Sequence, residues 1–248
     1  MRFVSRSPLT LLCGIAFTVL AGTAARAAEP AAVADAPATV RPVPREGGWM
    51  DRHNSFNERV KKGDVDLLLI GDSITQGWEG AGKDAWAKHY GPRKAVNLGI
   101  GGDQTQHVLW RLENGNIDGI TPKLAVLMIG TNNSGSASTA EEIAAGIEAI
   151  VKKLRSDLPE TKVLILAIFP RGEKPNPQRE KNAKASEIAS KLADDKMVYF
   201  LDIGPKFMTE DGTLTREIMP DFLHLSPQGY TIWAESIEPT VAQLMGEK

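Results

Sequence analysis

The sequence predicts an α/β fold, a three-layer sandwich around a parallel sheet, and two observations carry that expectation. Short apolar runs at residues 67–70, 124–129, 163–169 and 197–201, with a weaker fifth at 95–98, lack the polar–apolar alternation of a half-exposed strand. Strands apolar on both faces belong in a sheet that is covered on both sides. Helical signals fall between the runs, and strand–helix alternation implies parallel pairing through crossover helices. The chain of 248 residues is 42% hydrophobic, enough for one globular core with short appendages.

Taken in order, the N-terminal residues stand apart. Arg2 and Arg6 precede an apolar run at 9–20, too short to span a bilayer comfortably, and Ala25-Arg26-Ala27 follows. A basic start, a short apolar centre and an A-x-A exit predict a secretory signal over 1–27, removed on export to the periplasm or the exterior. Its removal would take Cys13, the only cysteine, and with it any disulfide, cysteine-ligated zinc or thiol nucleophile. Residues 28–48 are rich in Ala and Pro and predict a tether. The folded domain is expected over 49–248.

Within that domain Thr139 and Glu142 form a capping box ahead of an apolar stripe of Ile143, Ile147, Ile150 and Leu154. Ser226-Pro227 opens a last helix carrying Tyr230, Trp233, Ile237, Val241 and Leu244. With 29 basic and 31 acidic residues the net charge is -2, and no long basic run points to nucleic acid.

In open parallel sheets, ligands sit beyond the carboxyl ends of the strands, so chemistry is sought there. Four segments qualify. Ser73 follows the first run within Gly71-Asp72-Ser73-Ile74-Thr75-Gln76-Gly77, with Thr75 where a G-x-S-x-G elbow would require glycine. Gly99, Gly101 and Gly102 lie after the second run, in a spacing unlike the G-x-G-x-x-G of nucleotide sites. Asn132 follows the third run, its amide offering uncharged donors for an oxyanion. Asp221 and His224 share one loop before the last helix, so the carboxylate can orient the ring.

Each segment has a structural alternative when taken singly. Ser73 fits a helix cap, the glycines an ordinary turn, Asn132 an Asx-turn and Asp221 with His224 a surface ion pair. Together they supply a nucleophile, oxyanion donors, a base and its orienting carboxylate.

These four blocks resemble those of the GDSL or SGNH hydrolases. The segments 99–115 (GIGGDQTQHVLWRLENG), 130–133 (GTNN), 170–184 (PRGEKPNPQREKNAK) and 221–226 (DFLHLS) are similar, within that family, to the catalytic subunits of type I platelet-activating factor acetylhydrolase. The resemblance covers residue 49 to the C-terminus. It implies a flavodoxin-like sheet of five parallel strands, with Ser73 as nucleophile, His224 as general base and Asp221 as its orienting carboxylate. It further implies an oxyanion hole of the Ser73 and Gly102 N–H groups and the Asn132 side chain, acetyl as the acyl group, and subunits that pair as a homodimer. The reaction requires no metal or cofactor.

The expected function is hydrolysis of short-chain acyl esters on an extracytoplasmic carbohydrate. The alternatives are a phospholipid-type ester and a non-catalytic binding or interaction module on the same fold. Leu98, Ile100, Leu109 and Leu223 are expected either to narrow the acyl pocket or to fill the core. Trp78, Trp86 and Trp110 offer either a sugar platform or core packing. His53, His89 and His107 have no partner pattern. The charged stretch 171–184 follows the fourth run, where Arg171 is placed for a role at the rim of the site.

Overall fold

The computed structural model describes residues 1 and 36–247. The expected export signal, apart from Met1, and the first part of the expected tether lie outside the described residues. In chain order the elements are α1 (Gly48–Val60), β1 (Leu67–Gly71), α2 (Ser73–Gln76), α3 (Lys83–His89), β2 (Ala95–Gly99), α4 (Thr105–Glu113) and β3 (Leu124–Met128). After these come α5 (Thr131–Ser134), α6 (Ala140–Asp157), β4 (Lys162–Leu166), α7 (Pro177–Ala189), β5 (Val198–Leu201) and α8 (Pro227–Met245). The strands form one sheet in the order β2-β1-β3-β4-β5, every neighbouring pair parallel. That is the flavodoxin-like order.

All five apolar runs become strands, and their alternate side chains serve two cores. Leu68, Ile70, Ala125, Leu127, Val163 and Ile165 pack with α1, α4, α6 and α7 on one face. Leu67, Leu69, Val126, Leu164 and Leu166 pack with α2, α3 and α8 on the other. The run 163–169 leaves the sheet after Leu166, and Ala167, Ile168 and Phe169 stay buried in the connection that follows. The predicted capping box closes in both directions, Glu142 N–H to Thr139 Oγ1 at 3.2 Å and Thr139 N–H to Glu142 Oε2 at 2.8 Å. Ser226 caps α8 through the Gly229 N–H at 3.1 Å.

Several expectations resolve toward packing. Trp78 is 1% exposed and its ring lies 4.7 Å from that of Tyr230 and 4.8 Å from that of Trp233, so it is core and no sugar platform. Trp86 and Trp110 are half-buried against Trp78 and Trp49 respectively. His53 is buried between the amides of Asn57 and Asn116. His107 accepts the Gln104 N–H at the start of α4, and His89 lies 3.5 Å from Glu238. Leu98, Ile100 and Leu109 belong to the core.

The compact unit begins at Ala36, not at Trp49. Thr39 is buried; its hydroxyl donates to the Glu142 carbonyl at 2.6 Å and its carbonyl accepts from Thr105 Oγ1 at 2.9 Å. The Val43 N–H donates to the Gln106 carbonyl at 3.3 Å. Composition misled here because polar hydrogen bonds hold this segment in place of large apolar side chains.

Two glycines decide where α2 sits. Gly71 and Gly99 face each other in register at the carboxyl ends of β1 and β2. A Cβ on Gly99 would stand 2.2 Å from the Gln76 backbone nitrogen, and one on Gly71 would stand 2.4 Å from the Met128 carbonyl oxygen. Only hydrogen at both positions lets the helix after Ser73 settle onto the strand ends. Gly99→Ala is therefore expected to lower the unfolding free energy in urea by about 1–3 kcal/mol or more. Gly48→Ala, whose Cβ would meet nothing within 4 Å, is expected to be near neutral under the same measurement.

Candidate active site

The four segments found in the sequence converge at the carboxyl edge of the sheet. Ser73 is the first residue of α2, and Asp72 before it caps that helix by accepting the Ile74 N–H at 3.0 Å. Ser73 Oγ lies 2.9 Å from His224 Nε2. On the far side of the ring, His224 Nδ1 lies 2.6 Å from Asp221 Oδ2. A hydroxyl, an imidazole and a carboxylate are thus joined in one relay, and the Nδ1 contact selects the tautomer whose Nε2 can accept the hydroxyl proton.

The loop that carries Asp221 and His224 is shaped by one strained residue. Phe222 has φ of 60°, in the left-handed region that costs a non-glycine residue of order 1–3 kcal/mol. The turn it makes lets Asp221 Oδ1 accept the N–H groups of Leu223 at 3.0 Å and His224 at 2.7 Å. The Arg216 guanidinium covers the Phe222 ring at 4.5 Å, and the Phe222 carbonyl accepts the Gly172 N–H at 2.8 Å. Partial burial pushes the Asp221 carboxyl up, but the bonds from the His224 ring and from the two N–H groups outweigh it, leaving the acid below the usual range.

Gly102 takes φ of 77°, where glycine alone is unstrained. Among the described residues its N–H and that of Ser73 have no acceptor. Asn132, in α5, donates one Nδ2 hydrogen to the Asp103 carbonyl at 2.8 Å, which fixes the amide and leaves its second hydrogen free. Asp103 itself is fully buried. Its Oδ2 accepts from Arg111 Nε at 2.9 Å, and its Oδ1 accepts from Trp49 Nε1 at 2.6 Å and Arg45 Nη1 at 3.1 Å. Nothing in the local sequence announces this cluster, because Arg45 and Trp49 lie far from Asp103 and Arg111 along the chain.

Arg171 lies half-buried beside the relay, donating to the Thr131 carbonyl at 3.3 Å and hydroxyl at 3.2 Å. With Gly172, Asn176, Gln178, Asp221, Phe222 and Leu223 it lines an open cleft of about 370 Å³. Of the four leucine and isoleucine side chains considered for the acyl pocket, Leu223 alone lines this cleft. Among the described residues no group of three or more His, Cys, Asp or Glu side chains is gathered to hold a metal ion.

A hydroxyl, an imidazole and a carboxylate in this order at the strand ends of a flavodoxin-like sheet have the geometry that nucleophilic acyl transfer requires. Residues 69–232 match the GDSL-like Lipase/Acylhydrolase family. The chain is 40% identical over 215 residues to the human platelet-activating factor acetylhydrolase IB subunit alpha1, covering 86% of this chain and 91% of that one. A GDSL-like lipase from Bacteroides thetaiotaomicron superposes with a TM-score of 0.60 at 21% identity, over 78% of this chain and 97% of that one. A carbohydrate acetylesterase from Sinorhizobium meliloti does so at 0.55 and 22%, over 73% and 99%. The chain belongs to the GDSL-like lipase/acylhydrolase family and is a carboxylic ester hydrolase.

Asp72, like Asp103, is a residue of the site that sequence reading left unassigned. Its carboxyl is fully buried, with Oδ2 lacking any partner among the described residues. Burial pushes it up from 3.8 to about 7, aided by Asp103 and opposed by the Ile74 N–H, His224 and Arg171. The folded state thus holds this proton more tightly than the unfolded chain. The resulting stability is fully present below about pH 4 and is lost as pH rises through about 7. Asp72→Asn keeps an oxygen for the Ile74 N–H and removes the titration. Its chemical-denaturation stability relative to the parent is expected to be higher at about pH 8 than at about pH 5; a constant difference would contradict the assignment.

Proposed function

We propose that the protein is an exported serine esterase that removes short acyl groups, acetyl foremost, from an acylated carbohydrate. The observation that carries this reading is the unbroken line from Ser73 Oγ through His224 to Asp221, at 2.9 and 2.6 Å. His224 takes the Ser73 proton as Oγ attacks the ester carbonyl. The N–H groups of Ser73 and Gly102 and the free Asn132 hydrogen meet the oxyanion of the tetrahedral intermediate. Collapse expels the alcohol, which receives the proton from His224, and leaves an acyl-serine. Water then attacks with His224 again as base, releasing the acid and restoring Ser73.

Carbohydrate is favoured over lipid by the character of the cleft. Arg171, Asn176, Gln178 and Asp221 give it a polar lining suited to hydroxyl groups. The same fold serves a carbohydrate acetylesterase in Sinorhizobium meliloti. Export rests on the basic-apolar-small order of residues 1–27, and places the enzyme where polysaccharide is found. A phospholipid-type acetyl ester is the competing substrate, favoured by the 40% identity to platelet-activating factor acetylhydrolase IB subunit alpha1. Arg171 is assigned to the rim, where it contacts the alcohol half of the ester.

The test is release of acetate from p-nitrophenyl acetate, acetylated xylan and an acetylated phospholipid, alongside longer acyl esters. Expected are preference for acetyl, turnover of xylan above the lipid, and a loss of about 10⁴-fold or more in Ser73→Ala. Asn132→Ala is expected to lose about 10²–10³-fold in kcat. Arg171→Ala should raise KM for xylan more than for p-nitrophenyl acetate. Preference for the phospholipid would replace the carbohydrate reading, and absence of any esterase activity in the folded protein would overturn the serine mechanism.

A further inference from the structure

The segment before α1, which composition presents as a tether, reaches the loop that carries Gly102. Arg45 Nη1 donates to the Gly101 carbonyl at 2.8 Å and to Asp103 Oδ1 at 3.1 Å, so one guanidinium bridges the residues on either side of Gly102. It also lies flat against that glycine: a Cβ on Gly102 would stand 3.2 Å from Arg45 Nη2 and 3.3 Å from Nη1. The side chain is 36% exposed, whereas Asp103 is 0% exposed. The loop has its own anchors below, in Arg111 and Trp49 on Asp103 and in the Gly101 N–H, which donates to Gln76 Oε1 at 2.7 Å.

Arg45 is thus the outer member of the clamp, the one reached from solvent. The segment that delivers it is anchored at Thr39 and Val43, which bond to α4, Thr39 also to α6.

We infer that residues 36–47 form a strap that completes the oxyanion hole, with Arg45 as the positioning residue for the Gly102 N–H. The inference rests on the reading of Ser73, Gly102 and Asn132 given above. Glycine at 102 is required by its φ of 77°, but glycine is also the residue whose backbone turns most freely. Holding the carbonyl before it and the carboxylate after it restricts that freedom. The peptide N–H then points at one place as the oxyanion forms, and no reorganisation is needed at the moment of reaction. The positive charge beside the loop acts in the same sense on the developing negative charge. An N–H displaced by about 1 Å forfeits much of its stabilisation, and such displacements cost up to about 100-fold in rate.

Positioning through the transition state and general support of the fold separate in kinetics. The full chain is compared with Arg45→Ala and Arg45→Gln on p-nitrophenyl acetate, with thermal unfolding measured on each. Expected is a fall in kcat of about tenfold or more, with KM within about twofold, in proteins that unfold near the parent temperature. Because the side chain opens to solvent, millimolar guanidinium should restore part of the lost kcat to Arg45→Ala while leaving Ser73→Ala inactive. Parent-like kcat in both Arg45 variants, or a loss that guanidinium does not relieve, would overturn the strap's role. Should Arg45→Ala fail to fold, Arg45→Gln, which keeps a donor for the Gly101 carbonyl, decides by the same kcat and KM readings. Turnover surviving in Ser73→Ala would instead overturn the underlying mechanism, so the two failures are distinct.

Discussion

The buried carboxylate of Asp103 is the constraint around which the site is built. A charge removed from water is tolerated only when opposing charge and hydrogen bonds surround it. Arg111 answers one oxygen, while Trp49 and Arg45 answer the other. Arg111 is itself fully buried, and its remaining donors go to Asn116 and to the carbonyls of Leu98 and Gly71. Those carbonyls sit where β1 and β2 end, so the pair fastens α4 to the strand ends. The backbone carbonyl of Asp103 holds the Asn132 amide, and its neighbour Gly102 supplies a free N–H. Solvation of one acid thereby fixes both the Asn132 amide and the loop of Gly102, the two parts of the proposed oxyanion pocket that lie outside α2.

The second constraint is steric. Gly71 and Gly99 stand side by side at the sheet edge, and the lack of a Cβ on each brings α2 onto the strand ends. Ser73 is consequently held at the carboxyl edge, with Asp72 buried beneath it and His224 within 2.9 Å. The strained Phe222 completes the arrangement from the other side, folding Asp221 back onto the His224 ring. Short loops on a rigid sheet therefore set the relay, and Arg171, Gly172, Asn176 and Gln178 of the 171–184 stretch line the cleft beside it.

Much of this was legible in the sequence, and the reasons are local. Strand identity follows from runs apolar on both faces, and the α6 and α8 starts from capping chemistry within four residues. The Asp221 and His224 partnership is likewise a short-range pattern. What remained hidden depends on distant partners. Asp103 looks like any loop acid until Arg111, Trp49 and Arg45 are brought around it. Trp78 looks like a candidate sugar platform until Tyr90, Tyr230 and Trp233 enclose it. Residues 36–47 read as a tether because a few polar bonds from Thr39, Val43 and Arg45 hold them, and composition does not register such bonds.

The central claim is that Ser73 carries the acyl group while Ser73, Gly102 and Asn132 hold the oxyanion. The most direct measurement is a crystal structure of the protein after reaction with a p-nitrophenyl alkylphosphonate, whose covalent adduct mimics the tetrahedral intermediate. A single adduct on Ser73 Oγ is expected, with its phosphonyl oxygen within hydrogen-bond reach of the Ser73 and Gly102 N–H groups and Asn132 Nδ2. An adduct on another residue, or a phosphonyl oxygen turned away from these three donors in an active enzyme, would contradict it.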